Sequence, residues 1–223
     1  MRKVLIILLL SIFSSIVNGQ VQKGDVVLGA NFGLMKQDAD ADILNYSYSN
    51  LILNFEYYVS DNVSLGFGPS LSSAKVLNDA FKINNNAWNF FVNYSFLSAS
   101  GKTMPYVGVA YTLYNTKITS GDVLGAGEDL GDGLGIPIPG FGGGSNVDLE
   151  TTYKRSVASL ILGIKFFVTE RINIDNKFTY GTVLNETIEF DIFGFAASMD
   201  GPADGNLLQF TVGFGYIIGR KGT

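Results

Sequence analysis

From about residue 24 onward, large apolar residues alternate with small or polar ones along most of the chain. Near the C-terminus Leu208, Phe210, Val212, Phe214 and Tyr216 share one parity, while Gln209, Thr211, Gly213 and Gly215 share the other. Successive strand side chains point to opposite faces, so such a stretch is a ribbon with one greasy and one polar face. The same alternation runs through 26–34, 51–59, 63–71, 88–96, 107–113, 160–166 and 172–180, which with 208–216 makes eight amphipathic strands. Their polar face is built mainly from Gly, Ser, Thr and Asn and is poor in Lys and Glu. A β-sandwich also alternates, but its greasy faces meet in one core and its other faces meet water. A small polar face suits a crowded barrel interior, and an aromatic-rich face suits lipid.

The connections alternate as well. Ser60-Asp61-Asn62, the stretch from Ser98 to Met104, and Thr169-Glu170-Arg171 are short, whereas the others run over about 36–43, 72–82, 117–152 and 185–205. This is the short-turn, long-loop asymmetry of an outer-membrane barrel. The expected fold is all-β: an eight-stranded antiparallel up-and-down transmembrane β-barrel with short periplasmic turns and long outer loops. Ten strands are the alternative, if residues 187–197 form part of an extra hairpin. The even count places both termini on the periplasmic side. The outward parity predicts two aromatic rings: Phe32, Trp88, Tyr111, Phe178 and Tyr180 near the outer rim, and Tyr57, Tyr94, Phe96, Phe166 and Tyr216 near the inner rim. Asn176 is the awkward outward residue. It calls for a hydrogen bond to a neighbouring strand or for a bulge near it.

Composition narrows the function. The 223-residue chain has no Cys and no His, which removes disulfides, thiolate metal sites, Cys nucleophiles, an N-terminal lipid on Cys and the commonest general base. A net charge of −5 argues against a nucleic-acid partner. Met1-Arg2-Lys3, the apolar run from Val4 to Phe13 and the compact Val17 and Gly19 follow the order of a secretory signal peptide. The expected division is therefore a signal peptide over 1–19, cut after Gly19, and a barrel domain over 20–223. No later stretch is long and apolar enough for a spanning helix.

The last strand carries a more specific pattern. Thr211-x-Gly213-x-x-Tyr216-x-Ile218 resembles the polar-x-Gly-x-x-aromatic-x-aromatic signal of small outer-membrane β-barrels, with Ile218 in place of the final aromatic. The chain thus resembles the OmpX-like proteins and the barrel part of OmpA-like proteins, over essentially all of its mature length. That resemblance implies a place in the outer membrane of a Gram-negative envelope. It implies outer-membrane lipid, lipopolysaccharide and the barrel-assembly machinery as partners, with Thr211, Gly213, Tyr216 and Ile218 as the assembly signal. The expected role is non-enzymatic, structural or mediated by the loops, with no cofactor. The alternative is a narrow pore or transporter for small, including hydrophobic, molecules.

Four charges fall on the inward parity: Glu56, Lys165, Asp175 and Lys177. A buried charge needs a partner or water, so they are expected to form an ion-pair network across the lumen; a gating or substrate site is the other reading. Glu56 and Asp175 as an acid–base pair would stand without His, nucleophile motif or metal set, so no enzyme is expected. Inward Tyr58, Phe91, Tyr106 and Tyr114 need space, which inward glycines such as Gly66 and Gly163 supply. Small substitutions at Gly163 and Thr211 are expected to be mild. The acidic, Gly-rich loop 119–150 offers carboxylates for Ca²⁺ but lacks an EF-hand spacing, as does the run Asp38 to Asp42. Residues 188–197 are unusually apolar for an outer loop. They either extend the seventh strand above the membrane or offer an edge to a partner.

Overall fold

A computed structural model describes residues 21–38, 46–76, 81–96, 101–120, 149–192, 195–201 and 205–218. The signal segment 1–19, most of the acidic loop and residues 39–42 lie outside them. The described residues form nine strands: β1 (Val26–Asp38), β2 (Tyr46–Tyr58), β3 (Val63–Val76), β4 (Phe81–Ser95), β5 (Thr103–Ser120), β6 (Leu149–Phe167), β7 (Ile172–Ile192), β8 (Phe195–Asp200) and β9 (Asn206–Ile218). Consecutive strands pair antiparallel from β1 to β7, and β9 pairs with both β7 and β1. Eight strands therefore close a ring in which backbone donors and acceptors satisfy one another, the condition for crossing hydrocarbon with strands.

β8 stands outside that ring. β9 holds the edge of β7 up to Thr182, and β8 takes the same edge from Thr187 to Ile192. Residues 187–197 do enter a hairpin, but it rides above the barrel and adds no strand to its wall. β5, β6 and β7 also run past the expected ends, to Ser120, from Leu149 and to Ile192. The eight β7 steps from Leu184 to Ile192, at ~3.3 Å each and tilted ~40°, raise this side of the wall by roughly 20 Å. Ile188, Phe190 and Ile192 alternate there with Glu189 and Asp191, so residues 188–192 extend the seventh strand, one of the two expectations for that apolar stretch.

The interior is inverted relative to a water-soluble domain. In β9 Gln209, Thr211 and Gly213 are buried, while Phe210, Phe214 and Tyr216 are exposed. The outward aromatics do not separate from one another along the strands as two clean rings: Tyr111 lies directly opposite Phe90. Phe178 sits directly beside Leu162 and Phe210, and Phe90 lies one outward step from both Val92 and Trp88. Phe has no polar tip to keep near headgroups, so it fills the whole apolar band. The bulge is not at Asn176. It lies between β6 and β7, where Ser156 faces Asn185 and Val157 faces Val183, leaving Leu184 as the extra residue.

Short turns close one end. At 59–62 the Ser60 Oγ accepts the Val63 N–H at 3.0 Å, and at 168–171 the Thr169 Oγ1 accepts that of Ile172 at 3.0 Å. Gly24 adopts φ +92°, a conformation strained for any L side chain, and there the chain turns into β1. Val21 then packs under the barrel with Val27, Tyr58, Met104, Phe167 and Ile217.

Candidate functional site

The lumen is layered. Its short-turn end is stoppered by the Val21–Met104–Phe167–Ile217 cluster, in which Tyr58, Met104 and Ile217 have no accessible surface. Above it lies the charged layer. Lys165 on β6 donates to Glu56 Oε2 on β2 at 2.5 Å and to the Tyr58 hydroxyl at 2.8 Å. The other Glu56 oxygen accepts from Ser64 at 2.6 Å and from Asn93 at 3.4 Å. Asp175, beside Lys165 in the β6–β7 register, accepts instead from the Tyr106 hydroxyl at 2.8 Å. The Lys177 ammonium makes no ion pair among the described residues and stands 5.9 Å from the Phe91 ring centre. Of the four expected charges, two thus meet as a pair, and the other two engage aromatic side chains.

This arrangement follows from parity and closure. Inward positions on β2, β3, β4 and β6 converge only because the sheet curls into a tube narrow enough for side chains to span. A buried carboxylate with an ammonium and two neutral donors has its charge and lone pairs met, which is what makes ionisation tolerable there. The rings beside it occupy space that only glycine leaves. A Cβ on Gly66 would strike Phe91, and one on Gly163 would strike Tyr106. The expected mildness of a Gly163 substitution therefore fails, because the position is already filled by its neighbour's ring.

Higher in the lumen the chemistry is neutral. Thr112 donates to Asn89 and Thr116 to Asn85, each at 3.1 Å, and Asn50 donates to Ser70 at 3.4 Å. Met35 and Leu207 pack with Tyr114 nearer the mouth. Two internal cavities of about 20 Å³ remain, both lined by Lys177 and Ile161. Each has room for about one water. Buried amide atoms of Asn31, Asn54, Asn93, Asn173 and Gln209 lack protein partners there, and they include both donors and acceptors. Water, which does both, fits that set.

At the mouth Arg155 on β6 grips Glu186 on β7 through two hydrogen bonds, of 2.7 and 3.2 Å, with both side chains buried. The guanidinium also lies 5.3 Å from the Tyr153 ring centre. Partial burial holds the Tyr153 hydroxyl above its ordinary pKa, with Arg155 pulling it down, so the ring stays neutral at physiological pH. Strand parity places Arg155 inside with the other odd residues of β6, but it places Glu186 outside. Inward residues on β7 are odd-numbered up to Val183, and the bulge switches them to even at Glu186. The amides of β4 did carry a signal: Asn85, Asn89 and Asn93 recur every fourth residue and all point inward.

The assembly-signal residues sit on the closing strand. Thr211 is buried, a Cβ on Gly213 would strike Asn31, and Tyr216 and Ile218 point outward at the short-turn end. Of the acidic loop, Glu150 is described, and it pairs with Lys117 at 2.6 Å.

No protein-family model matches the sequence, and no curated protein matches it. Solved structures do. Neisserial surface protein A superposes with a TM-score of 0.56 at 10% identity, over 87% of this chain and 99% of that one. The outer membrane protein OprG of Pseudomonas aeruginosa gives 0.54 at 15% identity, over 92% and 100%. Ail, the attachment invasion locus protein of Yersinia pestis, gives 0.52 at 9% identity, over 88% and 100%. Closed register, inverted burial and these superpositions converge on one architecture: the chain has the fold of the small eight-stranded outer-membrane β-barrels.

Proposed function

We propose that the chain is an integral protein of a Gram-negative outer membrane, exported with residues 1–19 as a cleaved signal peptide, and that it acts without catalysis by presenting its raised outer sheet to a partner. The apolar wall meets lipid and lipopolysaccharide, and Thr211, Gly213, Tyr216 and Ile218 present β9 to the assembly machinery. The observation that carries the role is a contrast along the axis. The lumen is stoppered and crossed by side chains, whereas β5–β8 continue well past the apolar band as an exposed ladder. A protein whose interior is filled and whose outer end is built up has its working surface outside.

The pore reading has less to support it. The Val21–Ile217 cluster, the Lys165–Glu56 pair and the Phe91–Tyr106–Ile161 layer each cross the lumen, and the cavities between them are water-sized. Planar-bilayer recording separates the two. The plugged barrel gives no reproducible unit conductance; a unit conductance that Gly66→Phe abolishes would replace this reading with the pore.

A further inference from the structure

The outer wall of β4–β7 carries two grooves, one above the other. The lower, of about 540 Å³, has a floor of Val92, Val109, Leu160 and Leu162 between Tyr94 and Phe178. Almost nothing polar reaches it. The upper, of about 460 Å³, is lined by Asn86, Trp88, Leu113, Asn115, Lys154 and Asn185. Both volumes fall within the roughly 300–1,000 Å³ of small-molecule sites. The register stacks them directly. Leu160 faces Tyr180 in the lower groove, Ser156 faces Asn185 in the upper, and the step between them is the small pair Ala158 and Thr182. A flexible chain can cross that step where the flanking Phe90 and Tyr111 would obstruct it.

The upper groove reads neutral polar groups more than charge. Its two cations are already paired, Lys154 with Glu189 at 2.6 Å and the buried Arg155 with Glu186 at 2.7 Å, and Lys117 in the next row is paired with Glu150. An anionic phosphate would meet three cations that are already neutralised, together with their three carboxylates. Asn185 already donates to Ser156 at 3.3 Å, so what the shelf offers is the exposed amides of Asn86 and Asn115, each with a donor and an acceptor, beside the exposed face of Trp88. Amides arranged around an indole face match a sugar ring, which presents hydroxyls at its edge and C–H groups on its face.

From this stacking we infer a glycolipid site on the outer wall of β4–β7, with an acyl chain in the lower groove and a neutral sugar headgroup on the Trp88–Asn86–Asn115 shelf. It rests on the wall facing lipid, as proposed above. The bilayer edge is where an apolar groove and an amide shelf in series have a single matching occupant, a molecule that is itself apolar below and hydroxylated above.

The test uses the full mature barrel, refolded into phosphatidylcholine vesicles holding equal minor amounts of a diacyl glucosyl lipid and phosphatidylglycerol. Lipids retained after gentle extraction are counted by native mass spectrometry. The glucosyl lipid is retained about tenfold over phosphatidylglycerol, the scale of one or two net hydrogen bonds. Trp88→Leu, Asn115→Leu and Ala158→Phe each remove most of that preference, whereas Phe32→Leu on the far wall leaves it. A compact unboiled band in SDS shows that each variant is folded. Equal retention of the two lipids, preference for phosphatidylglycerol, variants without effect, or free glucose binding as well as the lipid would each overturn the site. A barrel that never inserts into the vesicles would instead defeat the lipid-facing reading on which the site depends.

Discussion

The banded wall and the raised sheet are made of the same backbone ladder but obey different chemistry. Below the Leu184 bulge every strand has an outside fit for hydrocarbon and an inside fit for a crowded lumen. There Lys165 and Glu56 are fully enclosed and each is indispensable to the other. Above it, Lys154 and Glu189 make an equally short contact with their side chains about half exposed. The two bridges look alike in distance and differ in what surrounds them. Burial makes the first a structural necessity, because a cavity with room for about one water cannot replace the hydration that either charge loses once its partner is gone. Exposure makes the second dispensable, because solvent replaces either partner. The enclosed Lys165–Glu56 bridge is therefore needed where the exposed Lys154–Glu189 bridge is not.

Substitutions that strip this contrast rank by environment. Lys165→Met leaves the Glu56 carboxylate uncompensated, and should cost about 3–5 kcal/mol in urea unfolding of the vesicle-inserted barrel. Leu162→Arg places a charge in the apolar band at a cost of ~2–4 kcal/mol in the same measurement, and Val212→Arg should match it. Gly163→Ala overfills the space against Tyr106 and should cost about 1–3 kcal/mol. Pairing it with Tyr106→Leu should recover part of that loss, which a purely backbone effect would not. Lys154→Met on the raised sheet should cost less than about 1 kcal/mol. If Lys154→Met and Lys165→Met proved equally damaging, the distinction between the two regions would collapse.

The fold was legible because the period-two signal is strong wherever one face meets lipid. Val26 through Leu34 and Leu208 through Tyr216 each declare their two faces without help from any neighbour. The raised ends of β5 and β6 were not legible, since Thr116, Lys117, Thr151 and Thr152 display no apolar side, whereas Ile188, Phe190 and Ile192 alternate with Glu189 and Asp191 and marked 188–197 as either an extension of β7 or an edge for a partner. Parity also placed Glu56, Lys165, Asp175 and Lys177 inside but said nothing of azimuth. Lys165 has Asp175 beside it in register and yet reaches across the lumen to Glu56, a choice made by barrel closure between residues 109 apart in sequence. Glu186, the partner of Arg155, was hidden for a different reason. One inserted residue at Leu184 reverses which side chains of β7 face in, and nothing in the local composition marks the insertion.

The inversion itself is open to direct measurement because the chain contains no cysteine. Single cysteines placed in turn from Leu207 to Ile217 can each carry one spin label in the vesicle-inserted barrel. Collision rates with oxygen, which concentrates in hydrocarbon, then report the surroundings of every position. An inverted barrel requires a strict two-residue period, with labels at 208, 210, 212, 214 and 216 exposed to oxygen and those at 209, 211, 213 and 215 shielded. High oxygen exposure at the odd positions, or no period at all, would mean that β9 does not stand in a bilayer with its greasy face outward.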